Sequence, residues 1–238
     1  MDARYRYYDI KRKITQIGVH PYDIMLVGAT GVGKSTTLNA LFGKNIAKVG
    51  TGSDPETMET QYYSLNDYMR FWDSPGLGDG YRDAEHIKKL NALLNKKYTR
   101  NNYKDYGYID MAIILLNSCS RDLGTASKII DTVRKKLSSD RILVFSNQCD
   151  ISMSGRHWDN SRNCPDPVML QYLAEQQSIL HRRILRDCYM NVHPIFYSAY
   201  YNYNIDAVYD AIVNALPTTR RTLTVNSPYY AAPPPVRR

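Results

Sequence analysis

The sequence predicts an α/β domain: a mostly parallel six-stranded sheet with one antiparallel edge strand and helices on both faces. Three observations predict it. Apolar runs at 22–27, 109–116 and 142–146, each with a single polar residue near one end, have the hydrophobicity of strands buried on both sides, as in parallel sheets. Segments of helical period alternate with them, as in repeated strand–helix units. The first apolar run ends in a glycine-rich turn, residues 28–35, that opens directly into a helix.

In chain order, residues 22–27 (YDIMLV) form a strand stopped at Gly28, and residues 34–42 form a helix closed by Gly43. Residues 44–60 mix Gly, Ser, Asp, Pro and Thr without a period and read as a loop. Residues 61–65 and 68–72 flank an Asn-Asp turn and form the antiparallel pair. A helix at 84–94 follows, then the polar connection KKYTRNNYKDYG, expected to be solvated. Residues 109–116 and 142–146 are buried strands on either side of an amphipathic helix at 126–137. Residues 151–166 read as a long loop, 169–188 as a long helix, 194–197 as the last strand and 205–216 as the last helix. The organisation expected is an N-terminal extension at 1–14, one domain at 15–217, and a flexible basic Pro/Tyr-rich tail at 218–238.

Composition narrows the class. The chain has 238 residues, 43% hydrophobic and 23% charged, which suits one globular domain of ordinary size. Its four cysteines form no CxxC pair, so neither a zinc ribbon nor a thioredoxin-type site is expected, and reduced thiols in the cytoplasm are. The segment MDARYRYYDIKRK lacks the apolar centre of a signal peptide, and no apolar run reaches membrane-spanning length. A net charge of +8 suits nucleic acid or anionic lipid as well as a merely basic surface. The 21 tyrosines against four phenylalanines are expected mainly at half-buried positions with the hydroxyl reaching water.

The turn GATGVGKS matches GxxxxGK(S/T) in full, between strand and helix. Gly28, Gly31 and Gly33 let the backbone curl so that N–H groups, including those of Thr30, Val32 and Thr36, face phosphate oxygens. The helix N-terminus adds its positive dipole end. Lys34 is expected to reach the β- and γ-phosphates, and the Ser35 hydroxyl to bind Mg²⁺. This makes the fold a P-loop NTPase domain.

Four further motifs follow in order. Asp73-Ser74-Pro75-Gly76 follows a strand, as DxxG does in GTPases: Asp73 would hold Mg²⁺ through water, and Gly76 would donate its N–H to the γ-phosphate. A loop threonine should complete the metal shell, with Thr57 preferred, Thr51 second, and Thr60 too close to the strand pair. Asn147-Gln148-Cys149-Asp150 resembles NKxD, in which the aspartate accepts from the N1–H and N2–H₂ edge of guanine. Adenine offers no such pair of donors, so it would leave a buried Asp150 unpaired. Gln148 stands where that motif has a lysine whose stem lies along the base, which predicts weaker affinity and unchanged base choice. Ser198-Ala199 follows the last strand, where GTPases place an SA pair whose backbone N–H meets guanine O6. The nucleotide is therefore GTP or GDP, bound with Mg²⁺.

Five motifs in order resemble the translation-factor-related GTPases, and nearer still the Era-like GTPases called 50S ribosome-binding GTPases, including prophage-encoded members. The resemblance spans residues 15–217. Its longer strings are FWDSPGLGDG with Asp83 and His86 after it, NSCSRDLGT, and GRHWD. It implies a GTPase that hydrolyses GTP to GDP and acts as a switch, with the ribosome or RNA as partner. Era's C-terminal RNA-binding KH domain has no counterpart of sufficient length. Some relatives use potassium held by an asparagine at the fourth position of the loop; Gly31 stands there and does not support it.

Phosphoryl transfer rests on positioning and charge neutralisation. Ras-type enzymes orient water with a glutamine after the DxxG glycine; here that residue is Leu77, which cannot hydrogen-bond. The expectation is slow intrinsic hydrolysis. Asp79, Asp83, His86 and Arg121 are candidate assisting groups; the plainer expectation is a solvated His86 and an Arg121 that pairs with Asp122. Two alternatives are a septin- or dynamin-like GTPase activated by nucleotide-dependent homodimerisation and a GTP-binding interaction module with little turnover.

Overall fold

The computed structural model describes residues 5–18, 21–45, 61–74, 76–78, 83–98, 106–120 and 123–223. Elements run α1 (Tyr7–Ile17), β1 (Tyr22–Gly28), α2 (Lys34–Phe42), β2 (Gln61–Asn66), β3 (Met69–Asp73), α3 (Asp83–Asn95), β4 (Met111–Asn117) and α4 (Gly124–Arg134). They continue with β5 (Ile142–Asn147), β6 (Trp158–Asp159), β7 (Cys164–Pro165), α5 (Pro167–Cys188), β8 (Ile195–Phe196) and α6 (Ile205–Ala215). The main sheet has six strands in the order β2-β3-β1-β4-β5-β8. Only β2 is antiparallel to its neighbour, so the expected architecture is the observed one.

The alternation of side chains along each strand separates two cores. Ile24 and Leu26 of β1, with Met111, Ile113 and Leu115 of β4, face the layer of α1, α2 and α6. Met25 and Val27, with Ala112, Ile114 and Leu116, face α3, α4 and α5. Every residue of β1 is buried, as a central parallel strand demands. The switch from β1 to β4 on one side and to β3 on the other puts the strands' C-terminal ends around a shared crevice, the usual ligand position in such sheets.

Three expectations are corrected. The boundary at residue 15 cuts through α1: Ile10 and Ile14 are fully buried in the core, and Arg6 pairs with Asp210 of α6 at 3.0 Å. The spacing of Ile10, Ile14 and Ile17 carried a helical stripe that the interleaved charges obscured. The boundary at 217 is too early as well. Arg220 pairs with the fully buried Asp110, and Arg221 donates to the Ile109 and Leu94 carbonyls at 2.9 and 2.7 Å, so the packed unit runs to these residues. Residues 151–166 are not a free loop: a 3-10 turn, Cys149–Gly155, and the β6–β7 hairpin enclose a small core of Cys149, Trp158, Met169, Leu173 and Phe196. Tyr22 and Tyr197 are fully buried, their hydroxyls bonded to the Pro217 carbonyl and to Thr37, while most of the described tyrosines are half-buried as expected.

Helix α5 begins two residues before the sequence-based start because Asp166 caps it. Its carboxylate accepts from Met169 N at 3.0 Å, and Pro167 occupies the first turn.

Candidate functional site

The phosphate loop is held open by its glycines. Gly31 and Gly33 have φ of +75° and +87°, left-handed values that a side chain would strain. A Cβ at Gly28 would lie 2.7 Å from the Leu115 carbonyl oxygen of the adjacent strand. Two backbone bonds then join the loop to the segment after β3: Thr30 N–H donates to the Leu77 carbonyl at 2.7 Å and Leu77 N–H to the Gly28 carbonyl at 3.2 Å. Gly76 lies against this seam, where a Cβ would come within 2.8 Å of the Thr30 backbone. The first two motifs thus form one rigid piece.

Lys34 folds back over the loop, its Nζ donating to the Gly28 and Ala29 carbonyls at 3.3 and 3.2 Å. Ser35 Oγ donates to Asp73 Oδ2 at 3.3 Å. Asp73 is fully buried and its Oδ1 has no hydrogen-bond partner among the described residues. Burial pushes the Asp73 carboxyl above its usual range, opposed by the positive charge of Lys34 and the Ser35 bond. An orphaned carboxylate oxygen beside a serine hydroxyl at a helix N-terminus fits a hard divalent cation. Among the described residues no cluster of three or more His, Cys, Asp or Glu could hold a metal by itself.

Beside the loop lies a cleft of about 210 Å³ bordered by Gly33, Thr36, Asn147, Gln148 and Asp150. Asn147 is buried and ties it together: Nδ2 donates to the Val32 carbonyl at 2.9 Å and Oδ1 accepts from Ala199 N–H at 3.0 Å. Gln148, at φ +65°, donates from Nε2 to the Gly31 carbonyl at 3.0 Å. Asp150 Oδ1 and Gln148 Oε1 are buried without a partner among the described residues. A carboxylate oxygen left unsatisfied at a cleft wall is costly unless a ligand donates to it.

Sequence reasoning missed two features here. Tyr197 hydroxyl and Thr37 Oγ1 lie 2.7 Å apart, and Thr37 Oγ1 donates to the Gly33 carbonyl at 2.7 Å, so the residue before the SA pair also braces the phosphate loop. The SA pair itself is used internally: Ser198 N–H donates to the Tyr203 carbonyl at 3.1 Å, and Ala199 N–H is held by Asn147. In this arrangement both N–H groups are engaged within the protein.

Of the assisting candidates, His86 is 4% exposed with Nδ1 unpartnered among the described residues, not the solvated residue expected. Asp83 accepts from Gly78 N–H at 2.6 Å and pins the end of the second motif. Leu77 is 1% exposed, packed among the residues under α3 and α4. Thr51, Thr57, Thr60, Asp79, Arg121 and Asp122 lie outside the described residues.

A phosphate loop and a base cleft built on one strand–helix frame, in this order, define the class: P-loop GTP-binding proteins. The chain belongs to the 50S ribosome-binding GTPase family, whose model matches residues 23–147, over half of its length. It is 25% identical over 192 residues to a probable GTP-binding protein EngB of Thermosipho africanus, covering 80% of this chain and 84% of that one. With the corresponding protein of Streptococcus thermophilus it shares 39% identity over 153 residues, 52% of this chain and 76% of the other. Among solved structures, Toc33 from Arabidopsis thaliana with GDP and Mg²⁺ superposes with a TM-score of 0.62 at 14% identity, over 94% of this chain and 96% of that one. Era in complex with MgGDPNP and a segment of 16S ribosomal RNA superposes at 0.56 and 15% identity, over 83% of this chain and 58% of Era. At such identities these structures speak for the fold alone. The protein is a P-loop GTP hydrolase of that family. Among the described residues no helix is long and apolar enough to cross a membrane.

Proposed function

We propose that the protein is a slow, magnesium-dependent GTP switch of the cytoplasm that passes its nucleotide state to a ribosomal or RNA partner. The observation that carries the slow rate is Leu77. It occupies the place of a water-orienting glutamine, and its side chain is sealed in the core while its backbone is bonded to the phosphate loop. Mg²⁺ would be held by Ser35 and Asp73, with Thr57 as the loop ligand, and when bound it neutralises charge on the β- and γ-phosphates. Lys34, Gly76 and the loop N–H groups of Thr30, Val32 and Thr36 would then supply the remaining contacts. Asn147, Gln148 and Asp150 would receive the guanine. Support for an RNA partner is the +8 charge together with the family. Support for a cytoplasmic setting is that all four cysteines are free.

Multiple-turnover hydrolysis of GTP, with and without ribosomal subunits, tests this reading. Slow turnover alone, and subunits that co-sediment only in the presence of a non-hydrolysable GTP analogue, are expected. Fast hydrolysis by the pure protein would end the slow-switch proposal.

A second reading is nucleotide-dependent homodimerisation. Its support is the likeness to Toc33, described in one of its structures as a GTPase whose dimerisation is important for activity. A partner could supply the group that Leu77 cannot. A dimer on size exclusion with a GTP analogue but not with GDP would favour it, and a monomer in both would remove it.

A further inference from the structure

We propose that Tyr200 is the lid of the guanine site: its ring covers one face of the base, and its backbone N–H is the donor to the 6-oxo group. The proposal rests on guanine nucleotide occupying the cleft between Gly33 and Asp150. Tyr200 and Ile151 complete the lining of that cleft, and both are exposed, Tyr200 at 76%. A large, exposed ring at the mouth of a recess whose wall carries an orphaned carboxylate oxygen suits a flat ligand that hydrogen-bonds at its edge.

Gln148 makes such a cover necessary. A lysine there would lay its stem along the base; the shorter Gln148 instead has its amide drawn to the Gly31 carbonyl at 3.0 Å. The backbone gives the second half of the argument. Ser198 N–H and Ala199 N–H are both consumed internally, by Tyr203 and Asn147. The next N–H along the turn, that of Tyr200, has no hydrogen-bond partner among the described residues.

The ring is also braced, which a casual surface tyrosine would not be. It meets Tyr201 edge-on at 4.8 Å and 84°, and Tyr201 lies against Trp158 at 5.3 Å. Trp158 is 8% exposed and is met edge-on by Tyr203 at 5.5 Å. The turn that carries Tyr200 is closed by paired bonds between Ser198 and Tyr203, at 3.1 and 3.0 Å, and by Tyr201 N–H to Ser198 Oγ at 3.3 Å. The GRHWD string thus acquires a purpose: its tryptophan is the buried end of the aromatic row that presents the lid.

The test is the affinity of the full chain, and of its Tyr200→Ala and Tyr200→Phe variants, for Mg-GDP, Mg-ADP and magnesium tripolyphosphate. Wild type preferring GDP to ADP tests the guanine reading itself; failure there removes the reading and the lid with it. Given that preference, Tyr200→Ala should weaken GDP about tenfold, in the range of an aromatic ring stacked on a base. Tyr200→Phe should stay within about twofold, and tripolyphosphate should bind all three proteins alike. Undiminished GDP binding by Tyr200→Ala would overturn the lid while leaving the guanine reading intact. An equal loss for tripolyphosphate would assign Tyr200 to the shape of the loop and also overturn it.

Discussion

The Asn147 carboxamide is locked onto the Val32 carbonyl at 2.9 Å, so the strand that ends in the guanine motif holds the phosphate loop directly. The same side chain accepts from Ala199 N–H at 3.0 Å. The Asn147–Asp150 motif, the turn at Ala199 and the phosphate loop are therefore parts of one hydrogen-bonded unit. Asn147→Ala would strand two buried backbone groups, at a cost of about 2–3 kcal/mol of stability. Affinity for GDP, GTP and tripolyphosphate should fall together, because the loop itself loosens. Urea melts and equilibrium binding check this; a loss confined to base-bearing ligands would refute the coupling.

Leu77→Gln looks like a simple way to restore a water-orienting amide, and the structure says it fails. The side chain at 77 points into the apolar layer under α3 and α4, not toward the phosphate loop, while its backbone is fixed by two bonds. Burying an amide there without a partner costs about 3 kcal/mol. The expected result is a lower melting temperature and no gain in single-turnover GTP hydrolysis. A rate increase of tenfold or more would show that residue 77 can face the nucleotide.

Asp73 is built for a cation rather than for stability. Its carboxylate is fully buried, Oδ1 is unsatisfied, and burial raises its pKa. With a raised folded-state pKa, its contribution to stability is lost as pH rises through that value, so at neutral pH the ionised group opposes folding of the empty protein. Asp73→Asn should therefore melt higher than wild type without nucleotide. In wild type, removing Mg²⁺ with EDTA should speed GDP release, and the variant should release GDP quickly whether or not Mg²⁺ is present. Calorimetry and stopped-flow release of a labelled GDP measure the two halves.

Asp150 offers an edge-on carboxylate oxygen with nothing to satisfy it among the described residues. Asp150→Asn exchanges an acceptor for a donor, which matches the 2-oxo group of xanthine better than the 2-amino group of guanine. Preference should pass from GDP to xanthosine diphosphate, each read by competition. Unchanged guanine preference would remove Asp150 from the base site.

The sheet was legible because its signals are local. The apolar runs of β1, β4 and β5 and the glycine turn each announce themselves within a few residues. Helix α1 was not: Ile10 and Ile14 are separated by three charged residues, and only packing into the shared core buries them. The engaged Ser198 and Ala199 N–H groups escaped notice for a different reason. Sequence register gives the loop but not which of three successive N–H groups turns inward, a choice made by Asn147 from another strand. His86 was misread because a lone histidine in a polar helical turn carries no mark of the packing that covers it.

Asp110 gives a pH dependence at the far end of the sheet. It is fully buried at the start of β4, pairs with Arg220 and accepts from Asp23 N–H at 3.0 Å. Burial pushes its carboxyl up to about 6, although Arg220 opposes the shift. Since the folded pKa lies above that of the unfolded chain, the unfolded state ionises first as pH rises. Asp110's contribution to stability is thus full below about pH 4 and declines until about pH 6. The total is roughly 3 kcal/mol for a shift of this size. Asp110→Asn cannot titrate, so the stability difference between wild type and variant should shrink in the wild type's disfavour from pH 4 to 7 and then level. Urea denaturation at half-unit pH steps measures it; a difference that grows with pH would mean that the Arg220 pairing outweighs burial.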